Sequence, residues 1–174
     1  MKKKLQKLDF PAQKAYFIAS LVLVNDKGDI LLTREKNNYD IWTVPGGEVD
    51  YKNKEQFLDA AIRETKEEIG IKIDKNKARL IDTRISYAEG DNPYKKYGIF
   101  ILVETYAAKF PRGGKIILKR SQEALERKYD IKDYLWVNPS EITRKKLKVH
   151  KNFILTISKI NEWVKKYERS SKTK

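Results

Sequence analysis

"VPGGEVDYKNKEQFLDAAIRETKEEIGI", residues 44–71, decides how the rest of the chain is read. Behind the double glycine Gly46–Gly47 it sets Glu55, Glu64, Glu67 and Glu68 on one short segment, in a chain where acidic residues are the minority charge. Residues 55–69 carry helical periodicity. Leu58, Ile62, Thr65 and Ile69 recur at spacings of four, three and four and make one apolar stripe. On such a helix Glu64, Glu67 and Glu68 are mutual neighbours, on nearly the opposite face from Leu58 and Ile62. Three carboxylates this close repel one another unless something positive sits among them. That is either a neighbouring Lys or Arg, or a hard divalent cation, Mg²⁺ or Mn²⁺, for which clustered carboxylate oxygens are good ligands. An ordinary solvated Glu-rich face is the bland alternative. The paired glycines let backbone come close to the cluster, since no Cβ intervenes.

The rest of the chain bounds the answer. Its 174 residues suffice for one well-buried core, and a single domain over 1–174 is expected. Hydrophobic content of 40%, with six Phe, ten Tyr and three Trp, argues against disorder. The absence of Cys excludes disulfides and thiolate metal sites. The longest apolar run, "FIASLVLV", is far too short to span a bilayer, and no apolar stretch closely follows the basic start "MKKKLQK", so the expected address is cytoplasmic, with no membrane partner. The net charge of +14 is uneven: residues 143–174 alone hold 11 basic and 2 acidic side chains. Such a field attracts polyanions, RNA and nucleotides among them. A merely solvated Lys-rich surface is the other reading.

Along the chain, residues 15–35 read as a hairpin: a buried strand "AYFIASLVLV", the turn "NDKGD" and a returning "ILLTRE". "IWTVPGG" reads as a short strand ending at Pro-Gly-Gly. "ARLIDTRISYAE" and "YGIFILVETYAAKF" are two more strands, and "DYLWVNPSEI" a last strand running into a helix start. Phe153, Ile157, Ile160, Val164 and Tyr167 keep helical spacing, which predicts a C-terminal helix over about 149–167 with "ERSSKTK" frayed. The fold class is α/β: a mixed β-sheet flanked by helices, core about 15–145.

The segment Arg63-Glu64-x-x-Glu67-Glu68-x-Gly70 resembles the signature of the Nudix hydrolases. That signature runs Gly, five residues, Glu, seven residues, Arg-Glu, an aliphatic, any residue, Glu-Glu, any residue, Gly, aliphatic. Glu55 stands the required seven residues before Arg63. Trp42, Pro45, Gly46 and Gly47 resemble the strand leading into the box, and "LWVNPSEI" the closing strand and helix. Two departures stand out. "EVDYKNK" puts seven residues between Gly47 and Glu55 where the family usually has five, and Thr65 replaces an aliphatic.

The resemblance implies an α/β/α Nudix fold and metal-dependent hydrolysis of a nucleoside diphosphate linked to another moiety. Position by position it implies Glu64, Glu67 and Glu68 as Mg²⁺ or Mn²⁺ ligands, one doubling as base, with the carbonyl of Gly46 as a backbone ligand. Arg63 would orient a carboxylate, and Glu55 would support from outside the metal shell. A further acid is expected upstream of Trp136: Asp130, or Glu126 or Glu123. Arg34 faces either substrate phosphate or a structural ion pair. Tyr87, sixteen residues past Ile71, stands where the family's dinucleoside polyphosphate hydrolases carry a tyrosine; a half-buried strand Tyr is the alternative. His150, the only histidine, is assigned no role. Hydrolysis of a 5′-triphosphate RNA end and a non-catalytic nucleotide- or RNA-binding Nudix module remain as other readings. Oligomeric state is not legible.

Overall fold

The computed structural model describes residues 15–35, 41–87, 100–118, 131–149 and 151–172. At its centre is strand β1, Ala15–Val24. Leu21, Val22, Leu23 and Val24 are all buried, with no in–out alternation. The cause is that helices cover both faces of the sheet at this strand. Ala19, Leu21 and Leu23 join Ala60, Ala61 and Ile69 of helix α1, Phe57–Ile69. Val22 and Val24 join Phe153, Ile160 and Val164 of the C-terminal helix, here α3, Lys151–Lys172. One continuous apolar strand thus divides two cores.

Six further strands complete the sheet among the described residues: β2 (Ile30–Glu35), β3 (Trp42–Thr43), β4 (Gly46–Glu48), β5 (Arg79–Tyr87), β6 (Phe100–Lys109) and β7 (Ile131–Val137). The order is β3-β2-β1-β6-β5, with β4 added to β1 and β7 to β2. β1 and β6 run parallel over their whole length, from Ala15↔Phe100 to Val24↔Lys109; the other pairs are antiparallel. A short helix α2, Glu141–Arg144, follows β7 and buries Ile142. The sheet is mixed and flanked by helices, as the sequence predicts.

Three local expectations need correction. The hairpin over 15–35 is splayed: β1 and β2 pair only beside the turn, at Val24↔Ile30. Beyond it β2 turns to β7, and β1 takes β4 through Ile18↔Glu48, Ala19↔Gly47 and Ser20↔Gly46. Pro-Gly-Gly therefore opens a strand where the sequence reading ends one. A Cβ on Gly46 would lie 2.4 Å from the Ala19 carbonyl oxygen, so β4 can approach β1 this closely only as glycine. The C-terminal helix starts two residues later than expected, at Lys151, because Val149 is still extended and bridges Trp42. It also continues to Lys172, through most of the segment expected to fray. No Gly or Pro lies beyond position 139 to stop it.

Ile160 is fully buried on α3. Ile160→Ala should therefore cost about 2–5 kcal/mol in a denaturant titration, the scale of a core cavity. Lys159→Ala, on the exposed side of the same helix, should stay within about 0.5 kcal/mol.

Candidate active site

The loop "EVDYKNK" closes on itself. Asp50 accepts hydrogen bonds from the backbone and side-chain amides of Asn53, at 3.2 and 2.7 Å. Residues Tyr51–Asn53 make one 3₁₀ turn, and Lys54 takes a left-handed φ of 59°. At the base of the loop the Glu55 N–H donates to the Asp50 carbonyl at 3.1 Å, and Glu55 Oε2 accepts from the Asp50 N–H at 2.8 Å. The extra length is taken up in a closed turn before Gln56, which caps α1. Helix α1 thus begins two residues later than predicted, and Glu55 precedes it.

The buried arc of α1 is also displaced from the predicted stripe. Ala60, Ala61, Thr65 and Ile69 are buried, while Leu58 and Ile62 are only partly so. On the helix surface Glu64 and Glu68 lie between Ala60 and Ala61, inside that arc. They do not oppose it. The small side chains of Ala60 and Ala61 let the sheet come close, and β4 occupies the space. A Cβ on Gly47 would lie 2.5 Å from the Glu64 carboxyl carbon, so the second glycine makes room for this carboxylate. Thr65, the departure from an aliphatic, donates its hydroxyl to the Ala61 carbonyl at 2.7 Å, which satisfies it inside the core. Gly70 ends the helix with φ 74°, its N–H on the Lys66 carbonyl.

The positive group among the glutamates is Arg63. Its Nε and Nη2 hold both oxygens of Glu55, at 2.8 and 3.1 Å. Nη1 donates to Glu64 at 2.6 Å and to Glu67 at 3.3 Å. Nη2 also reaches the Glu48 carbonyl at 3.0 Å, which ties α1 to the end of β4. One planar guanidinium with five donors joins three carboxylates and a strand end, a task that a lysine ammonium could not do. Burial grades the set: the side chains of Glu55 and Glu64 are 15% and 19% exposed, that of Glu67 40%. The hydrogen bond from Arg63 holds the Glu55 carboxyl below the usual glutamate value, whereas burial pushes the Glu64 carboxyl above it, against the pull of Arg63.

Whether these residues suit a divalent cation is a question of donor chemistry and room. The donors are hard oxygens, and the lack of a side chain at Gly47 lets the Glu64 carboxylate sit directly against the β4 backbone. Glu68 is half-buried one turn beyond Glu64. Among the described residues no three acidic side chains already converge on one point, since Arg63 Nη1 stands between Glu64 and Glu67. The donor set fits a metal.

The other assigned residues are distributed more widely. Arg34 pairs with Asp133 on β7 at 3.1 Å, and its guanidinium lies over the Trp42 ring, 4.8 Å from the centroid. It fastens β2 to its neighbours. Asp130, Glu126, Glu123, His150 and the side chain of Tyr87 lie outside the described residues. The sequence reading missed a cleft of about 270 Å³ on the α3 side of the sheet. Gly46, Gly47 and Glu48 form one wall of it, Asp82 and Arg84 of β5 another, and Phe153 and Thr156 of α3 close it. The one signal for it was "IDTRI", two opposite charges at strand spacing inside an apolar run.

Residues 17–156 match the model of the NUDIX domain. Solved structures that resemble this chain include a C. elegans Ap4A hydrolase in a binary complex, 20% identical with a TM-score of 0.58, over 86% of this chain and 97% of that one. A MutT protein from Methanosarcina mazei Go1 is 18% identical with a TM-score of 0.61, over 91% and 97%. A MutT Nudix hydrolase from Burkholderia pseudomallei is 22% identical with a TM-score of 0.55, over 74% and 86%. At these identities the structures attest the fold.

The opposite pKa directions make a testable contrast. Glu55, depressed, adds stability above the ordinary glutamate value of 4.5 and loses it as pH falls through its lower folded value. Glu64, raised, favours the folded state fully below 4.5 and loses that contribution as pH rises through its higher folded value. At pH 7 without divalent metal, Glu55→Gln should lower the thermal midpoint and Glu64→Gln should raise it. Both differences should shrink as the pH drops well below 4.5 in a series of melting curves.

Proposed function

The chain belongs to the Nudix family of hydrolases, and from that footing we propose a metal-dependent pyrophosphohydrolase that cleaves a nucleoside diphosphate linked to another moiety. The observation that carries this reading is the Arg63-centred carboxylate set pressed against Gly47, opening beside the cleft that Gly46 to Glu48 wall. Glu64, Glu67 and Glu68, with the Gly46 carbonyl, would hold Mg²⁺ or Mn²⁺. A bound divalent metal supplies neutralisation of phosphate oxygens and acidification of the attacking water. The chain's own part is to position. Arg63 fixes the rotamers of Glu55, Glu64 and Glu67; Glu55 braces Arg63 and the loop base; Gly47 makes room for the Glu64 carboxylate against β4.

A dinucleoside polyphosphate is the proposed substrate class. Lys52 and Lys54 are exposed on the loop beside the acidic set, where additional phosphates can be met. The basic second half of the chain raises the local concentration of highly charged substrates. Tyr87 stands at the position the family resemblance assigns to a base-stacking aromatic. The same basic charge favours one second reading, hydrolysis of 5′-triphosphate RNA ends.

Activity should vanish in EDTA and return with Mg²⁺, and Mg²⁺ should raise the melting temperature of the wild type. Glu67→Gln and Glu68→Gln should each lower kcat by about a hundredfold or more with the fold retained, the scale of losing a charge-stabilising group. Normal turnover by either variant would remove that residue from the metal site.

Substrate choice is read from kcat/KM at fixed Mg²⁺ and moderate salt, over Ap4A, ADP-ribose, nucleotide sugars and 5′-triphosphate RNA. Ap4A should lead, and Tyr87→Ala should erode that lead. A preference for ADP-ribose excludes the dinucleoside assignment; a preference for the RNA end establishes the second reading in its place.

A further inference from the structure

The sheet ends on an open strand. Among the described residues β5 has β6 as its one strand neighbour, which leaves an outer edge about 30 Å long with backbone donors and acceptors facing outward. Two large apolar side chains stand exposed on it, Leu80 at 52% and Ile85 at 67%. They share one face. Leu80, Thr83 and Ile85 pair with Tyr106, Glu104 and Leu102 of β6, positions two apart, and Ile81 is the extra residue of a bulge. Tyr106 belongs to the core under α1, so the row Leu80, Thr83, Ile85 lies on that face, with exposed Thr83 in the middle. On the other face Asp82 and Arg84 flank Thr83. Arg84 Nη2 donates to Asp82 Oδ2 at 2.6 Å, and the Thr156 hydroxyl of α3 donates to the same oxygen at 3.1 Å.

We propose that β5 is an interface between two copies of this chain, paired antiparallel about a two-fold axis through Thr83, so that one sheet runs through both. The pattern around Thr83 is self-complementary. A two-fold there sets Asp82 of each copy opposite Arg84 of the other, and the two intrachain pairs join into a ring of four alternating charges. On the α1 face, once the bulged Ile81 is passed over, Leu80 of each copy meets Ile85 of the other, and both leave water.

The same side chains exclude the neighbouring registers. An axis through Asp82 sets carboxylate against carboxylate, and one through Arg84 sets guanidinium against guanidinium; like charges directly opposite are destabilising. A slip of one residue turns the apolar row to the wrong face. Other occupants fit less well. A foreign strand needs no such symmetry. A polyanion would meet Asp82 beside Arg84, and two aliphatic side chains that it leaves uncovered. Net charge is the opposing force, at +14 per chain, but β5 itself holds two Arg and one Asp, so most of the excess lies elsewhere. At about 0.15 M salt, where the Debye length is about 8 Å, that longer-range repulsion is largely screened.

The test is sedimentation equilibrium of the intact protein at about 0.15 M salt over a range of concentrations. Wild type should form a dimer, and Ile85→Lys, at an exposed position, should weaken it about tenfold or more. Register is read by cross-linking. The chain has no Cys, so Thr83→Cys carries a single thiol, set opposite its own copy. Cβ atoms of such a pair lie about 4.5–5.5 Å apart, close enough for a disulfide after small adjustment. Mild oxidation should convert most Thr83→Cys protein to a covalent dimer. Ile85→Cys, whose two thiols would stand about 13 Å apart along the strands, should give little. A monomer throughout the concentration range, a dimer that withstands Ile85→Lys, or equal cross-linking of the two Cys variants overturns the proposal. If circular dichroism shows that Ile85→Lys has lost its fold, the comparison of the two Cys variants decides alone. Hydrolysis does not enter: an inactive protein that cross-links through Thr83→Cys would sink the pyrophosphohydrolase reading and leave this one standing.

Discussion

The close approach of the β4 backbone to its two neighbours is the constraint on which the rest depends. On one side Gly46 meets β1 at a distance that admits no Cβ; on the other Gly47 meets the carboxylate of Glu64. A side chain at either position would drive the strand away from β1 or the helix away from the strand. The splayed hairpin, the position of α1 and the shared wall between acidic set and cleft all follow from two residues having none. Glycine is usually read for its φ freedom, but here its small volume matters.

Arg63 is the electrostatic counterpart of that steric condition. Partly buried carboxylates on one helix face raise each other's pKa values and favour opening of the site. The guanidinium offsets this by distributing five donors over Glu55, Glu64, Glu67 and the Glu48 carbonyl. The compensation is unequal. Glu55 receives two bonds and is depressed, while Glu64, packed against Gly47, stays raised by burial. A site kept in this unfavourable condition trades stability for a local demand for positive charge.

The sheet separates two tasks. Its α1 face carries the acidic set, and its α3 face carries the cleft, with β1 buried between them. Strand β4 joins the two: its three residues line the cleft, Gly47 meets the Glu64 carboxylate and the Glu48 carbonyl accepts from Arg63. The long C-terminal helix belongs to the second task. Phe153, Ile160 and Val164 make it part of the core, and Thr156 brings it to the edge strand.

By itself the sequence determined the spacing of Glu55, Arg63, Glu64, Glu67 and Glu68, because a helix converts sequence separation directly into neighbourhood. It determined the family resemblance for the same reason, and the element types wherever a period of two or 3.6 was sustained. Thr65 back-bonding and the tolerance of a longer loop are likewise local events, settled within a few residues. Tertiary structure decided which face of α1 is buried. The stripe Leu58–Ile62 was the more hydrophobic, but the sheet packs where Ala60, Ala61 and Gly47 allow close approach, and volume there outweighs hydrophobicity. It alone decided that β1 pairs in parallel with β6, some eighty residues away, and that Arg34 serves an ion pair. It alone brought Asp82 and Arg84 under Thr156, a contact across 74 positions that no local pattern announces. Long-range pairing depends on which surfaces complement one another in three dimensions, and a single sequence records that only in the folded chain.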